Sequence, residues 1–133
     1  MLLTLSSGVT GYTTIHAGSA RQALTRLRFI CQLGDTSGGL PLGALNSLVS
    51  ESVDVVVQCA RTAAGPRVTE VVMVEDLAGG ADATHFTVTE VFRRPGPDQP
   101  LAWTGDVPAR AVRPLADAGH DVRRLLEPAG AYA

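Results

Sequence analysis

Lysine is missing from this chain: all 11 basic side chains among its 133 residues are arginine. A Walker A loop uses a lysine to reach the terminal phosphates of a nucleotide, and its Gly-x-x-x-x-Gly-Lys spacing occurs nowhere here, so the chain holds no P-loop of its own. Cysteine is scarce. Cys31 and Cys59 lack metal-ligand spacing and read as small apolar fillers suited to a reducing compartment. No apolar run approaches the roughly 18 residues that span a bilayer. The opening Met1-Leu2-Leu3-Thr4-Leu5 has no basic n-region and is too short for a signal peptide, which implies a cytoplasmic protein. A formal charge of -2 gives no general pull towards nucleic acid or anionic lipid, and no direct nucleic-acid binding is expected.

What the chain does have is apolar substance: 45% of it is hydrophobic, enough for one domain to bury roughly two thirds of its unfolded surface. The clearest element begins at Ser19. Ser19 with Gln22 three residues on spells a capping box, Gln replacing the more usual Glu, and Gly34 is a natural stop. Between them Ala20, Ala23, Leu24, Leu27, Ile30 and Cys31 recur with helical spacing as a core face. Arg21, Gln22, Thr25, Arg26, Arg28 and Gln32 form the polar, basic side.

Upstream, Thr13-Thr14-Ile15 reads as a short strand that delivers His16 to the turn before this helix. At such a junction a titratable side chain lies beside backbone N–H groups able to grip phosphate. Downstream, residues 34 to 39 break the pattern, and Pro41 opens a second helix with Leu42, Leu45, Leu48 and Val49 inward. Residues 53 to 60 are a β-branched run of the kind buried on both faces. Two more strands, 67 to 75 and 84 to 92, follow. With a hairpin at residues 62 to 66 and a connector at 76 to 82, they make an antiparallel meander. Residues 95 to 100 form a Pro-rich linker. The tail beyond it is read as a satellite, in which Trp103 packs back on the body and Asp121 caps a short helix through Val122, Leu125 and Leu126.

Most titratable residues have an ordinary explanation. His85 and His120 have no ligand-spaced neighbours, and no metal site is expected. Asp54, Glu70, Glu75 and Glu90 read as exposed charge pairs and edge protection. His16 has two accounts, a satisfied polar residue at a strand end or a phosphate donor. Thr14 is either a nearby hydroxyl or a good strand residue, whereas Thr13 reads as the latter. Arg21 and Arg26 either reach phosphate or an adjacent subunit, Arg21 being preferred, or belong to a solvated helical face.

The string Ser7-Gly8, Gly11, Thr14-Ile15-His16-Ala17, Ser19-Ala20-Arg21, Ala23-Leu24 and Arg26-Leu27 resembles the histidine-box region of the type II/type IV secretion traffic ATPases. The likeness is to the branch serving Tad-type pili and conjugation in particular. It is specific over residues 2 to 33 and follows the order of elements to about residue 126. Val9 stands where many members carry a further histidine and Gly18 where they often carry Asn, so only the role of His16 carries over. The resemblance implies an α/β fold, the C-terminal portion of a RecA-like ATPase core with a small antiparallel β meander and a short helical tail. Residues 1–94 would be ATPase core, with a His-box strand, two helices and three strands; residues 95–133 would be linker and tail. Leu2, Leu3 and Leu5 read as the end of a helix that starts upstream, and the family order places Met1 partway through the core. His16 would sense the γ-phosphate, with Thr14 and Arg21 beside the nucleotide.

The same resemblance implies ATP and Mg2+ as cofactors of the complete motor, a homohexameric ring, and platform proteins of an inner-membrane secretion or pilus machine as partners. It places the motor at the inner face of the cell membrane. The alternative is a non-catalytic interaction module of such an apparatus. A Cys/His hydrolase built on Cys31 or Cys59 with His16 is disfavoured, because Cys31 points to the helix core face, away from the polar surroundings a thiolate needs.

Overall fold

The computed structural model describes residues 7–34, 39–78 and 85–127. The elements run α1 (Ala20–Gly34), α2 (Leu42–Ser52), β1 (Val55–Thr62), β2 (Gly65–Val74), β3 (Val88–Arg93), β4 (Ala102–Trp103), α3 (Ala109–Asp117) and α4 (Val122–Leu126). Helices thus share the chain with a four-stranded sheet of order β1-β2-β3-β4, antiparallel at every pairing. The expected meander is there. Among the described residues no helix is long and apolar enough to cross a membrane.

The helical periodicity of α1 and α2 decides what goes inside. Leu24 from α1, Val49 from α2, Val74 from β2 and Phe86 ahead of β3 make the core, and Leu27, Cys31, Leu48, Val53, Val56, Leu77 and Val88 pack around it. Ile30, assigned to the inward face from spacing, is about half exposed. Leu42, also assigned inward, lies at the exposed first position of α2.

The β1–β2 hairpin turns through Ala63 and Ala64. Among the described residues no non-glycine adopts positive φ, so the left-handed residue that the tight reversal needs is Gly65, at φ +99°. Thr62 Oγ1 fastens the turn, accepting from the Ala64 N–H at 3.2 Å and donating to the Gly65 carbonyl at 2.8 Å.

Three expectations change. The valine run of β1 was read as a strand buried on both faces; it is the terminal strand of the sheet, with Val55 and Val57 about half exposed and Cys59 exposed rather than a filler. The strand expected through Thr13 to His16 is not formed: the segment joins no ladder and leaves Thr13 and Thr14 exposed. An extended segment becomes a strand only by pairing, and residues 13–16 pair with none of the described strands. The strand expected at 84 to 92 begins at Val88, residues 85–87 leading in; the connector expected at 76 to 82 lies partly outside the described residues.

The segment after the linker is more than a satellite. Ala102 and Trp103 add β4 to the sheet opposite Arg93 and Phe92, and the Trp103 indole N–H donates to the Asp106 carbonyl at 2.9 Å. α3, which the sequence pattern hid behind Pro114, is capped by buried Glu75. The Glu75 carboxylate accepts from the N–H groups of Ala109 (3.0 Å) and Arg110 (2.8 Å) and from the Thr89 hydroxyl (2.7 Å). Arg110 completes the clamp, donating to the Ser50 carbonyl at 2.6 Å and lying 3.4 Å from Asp54. Glu75 is therefore an internal anchor and not the exposed charge first assigned to it. Asp121 caps α4 as its sequence predicts, accepting from the Arg123 N–H at 2.9 Å.

Candidate functional site

The junction that carries His16 is held from three sides. Gln58 of β1 donates its amide to the Ala17 carbonyl at 3.0 Å, Glu70 of β2 accepts from the Ala20 N–H at 3.2 Å, and Arg21 donates to the Phe86 carbonyl at 3.1 Å. These ties fix the turn to the sheet even though residues 13–16 join none of the described strands. The cap itself follows its sequence signature with one shift of register. Ser19 Oγ accepts from the Gln22 N–H at 3.2 Å, but Gln22 Oε1 reaches past Ser19 to accept from Gly18, also at 3.2 Å. A Cβ at position 18 would sit 2.8 Å from that oxygen, so the closeness of Gly18 to Gln22 suits a residue without one.

One consequence concerns anions. A bare helix N-terminus offers its N–H groups and its positive dipole end to phosphate. Here Gly18, Ala20 and Gln22 already donate to the chain's own oxygens, one of them the Glu70 carboxylate. Three of the amides expected to grip phosphate beside His16 are thus satisfied internally, which shifts the holding of an anion there towards side chains.

Those side chains line an open cleft of about 570 Å3 along α1, bounded by His16, Ala17, Gly18, Gln22, Thr25, Arg26, Arg28, Phe29 and Gln32. Residues 22, 25, 26, 29 and 32 fall at i, i+3, i+4, i+7 and i+10, a single stripe of the helix. Among the described residues no carboxylate borders it. No family model matches the chain, and no curated protein matches it.

The site residues named from sequence are not all brought together. His16 is exposed at the cleft. Thr14 is exposed and outside its lining, and Arg21 is turned away to Phe86. Arg28 borders the cleft but is a strap: its guanidinium donates to Asn46 Oδ1 at 3.1 Å and lies 5.8 Å from the centre of the Phe86 ring. Arg21 and Arg28, seven residues apart, thus hold α1 against Phe86 and α2. Arg26 is exposed in the cleft itself.

Sequence reasoning missed Gln58 and Glu70 as fasteners, because their partners lie 41 and 50 residues away. It also missed Phe29 and Gln32, although the helical stripe through Gln22 and Arg26 was a signal that pointed to them. The cysteines are free. Burial pushes the Cys31 thiol above its usual range, which disfavours the thiolate that a Cys31 nucleophile would need. Among the described residues no three His, Cys, Asp or Glu side chains are grouped to hold a metal ion.

Proposed function

We propose that the chain is a segment of a secretion or pilus-assembly ATPase of the type II/type IV traffic class. It would be the C-terminal part of a RecA-like core whose homohexameric ring turns ATP binding and hydrolysis into movement at the inner face of the membrane. The resemblance around Thr14-Ile15-His16-Ala17 and Ser19-Ala20-Arg21 supports this. The single observation that carries it is the placement of His16: a turn pinned by Gln58, Glu70 and Arg21 brings an exposed imidazole to a cleft bordered by arginine and, among the described residues, by no carboxylate. An imidazole there donates to a phosphate oxygen, and the helix behind it transmits the result to the sheet. Lysine, magnesium and the phosphate-cradling amides come from a P-loop outside this chain.

A specific observation favours a second reading. With three amides at the start of α1 already satisfied by the chain's own oxygens, the junction is tied together without a ligand, as a non-catalytic interaction module would have it. Reconstitution separates the two. Mixed with a fragment bearing a Gly-x-x-x-x-Gly-Lys loop and the acidic strand that follows it in this class, a motor segment restores magnesium-dependent ATP turnover. A module binds that fragment, or a platform protein, without restoring any.

A further inference from the structure

We infer that Arg26, and not Arg21, is the cation that acts with His16 on a phosphoryl group in the cleft, an inference that rests on the motor reading. Arg21 and Arg26 are five residues apart on α1 and so diverge around the helix. Arg21 spends its guanidinium on the Phe86 carbonyl, 3.1 Å away, which makes it a positioning residue for the helix start. Arg26 shares the lining of the 570 Å3 cleft with His16.

The rest of the lining suits an oxyanion. Gln22 commits its Oε1 to Gly18, leaving its amide hydrogens as donors. Thr25 donates its hydroxyl to the Arg21 carbonyl at 3.1 Å and so offers a ligand only lone pairs. With the Arg28 guanidinium engaged by Asn46 and Phe86, the side chains left to donate to an anion are His16, Arg26 and the Gln22 and Gln32 amides. Of these only Arg26 carries a permanent charge and the planar fork that meets two oxygens of one phosphoryl group.

Two measurements test this. In the first, pyrophosphate is titrated into the chain and the protons of His16 and the Arg26 side chain are followed by NMR at fixed ionic strength. Weak saturable binding is expected, which Arg26→Gln reduces on the order of tenfold. Arg21→Gln is expected to keep that affinity and lower the melting temperature. In the second, the same variants enter the reconstituted motor, where Arg26→Gln raises KM for ATP or lowers kcat while Arg26→Lys recovers part of the loss. Loss of pyrophosphate binding in Arg21→Gln at an unchanged melting temperature, or unaltered binding and turnover in Arg26→Gln, overturns the assignment. The two claims fail separately: reconstitution without turnover removes the motor reading while Arg26-dependent pyrophosphate binding survives, whereas full turnover with Arg26→Gln removes this inference alone.

Discussion

Single side chains divide the surface of α1 into a strapped half and an open half. Arg21 and Arg28 are joined to Phe86 and Asn46, and His16 and Arg26 face the cleft. The thiols show the same contrast of surroundings. Cys59 is exposed on β1, while Cys31 is partly covered by the core and its thiol is held above the usual range by burial. A thiol-reactive disulfide reagent should therefore label one cysteine quickly and the other slowly, with Cys59→Ser abolishing the fast phase; a fast phase that survives in Cys59→Ser would refute the assignment. Linkage gives the direction with pH. A thiol whose folded value is raised stabilises fully below its unfolded value, so stability is lost as pH rises through the thiol range. Cys31→Ala should flatten that alkaline loss. Leu24, 1% exposed at the centre of the core, is the residue whose truncation costs most: Leu24→Ala should lose about 3 kcal/mol in a denaturant melt.

Elements are joined by carboxylates placed at helix starts. Glu70 fastens the first turn of α1 and Glu75 that of α3, so β2 and the residue that follows it carry an anchor for a helix from each side in sequence. Glu75 is 7% exposed and accepts three hydrogen bonds, and Glu75→Gln turns one acceptor into a donor that faces an N–H. A loss of about 2 kcal/mol is expected, with helical signal falling ahead of the sheet. Unchanged stability would show that α3 is held by other means. Ser19→Ala should cost about 1 kcal/mol by removing the cap from Gln22.

This is also the scale on which the sequence was most legible. Local signals such as Ser19 with Gln22, Pro41, and Asp121 before Val122 marked helix starts that the structure has, and the β-branched runs marked the meander. Long-range partners were not legible. Nothing near Glu75 in the chain announces Ala109, and Pro114 disguised α3. The valine run of β1 spoke for burial that its terminal place in the sheet does not provide.

For the whole molecule, that terminal place matters. β1 presents unpaired backbone groups beside Val55 and Val57, with no charged residue from 55 to 60, the circumstances in which strands pair between chains. The chain should associate as its concentration rises, and Val57→Lys should suppress that association in sedimentation without lowering the melting temperature by more than a degree or two. Equal association of both proteins would place the contact elsewhere, the exposed Phe29, Ile30 and Leu33 being the next apolar surface.

The proposed function concerns a machine to which this chain would supply a sensor. By itself the chain should neither hydrolyse ATP nor bind it tightly, since no lysine or P-loop holds the terminal phosphates. The decisive measurement is steady-state ATP turnover of the motor reconstituted with the P-loop fragment, comparing the native chain with His16→Ala. Loss of one preorganised phosphate donor predicts a fall in kcat on the order of 10²-fold, about 3 kcal/mol, with the melting temperature unchanged because His16 is exposed. Turnover by His16→Ala equal to that of the native chain would contradict the phosphate-sensing role and leave the cleft without its proposed work.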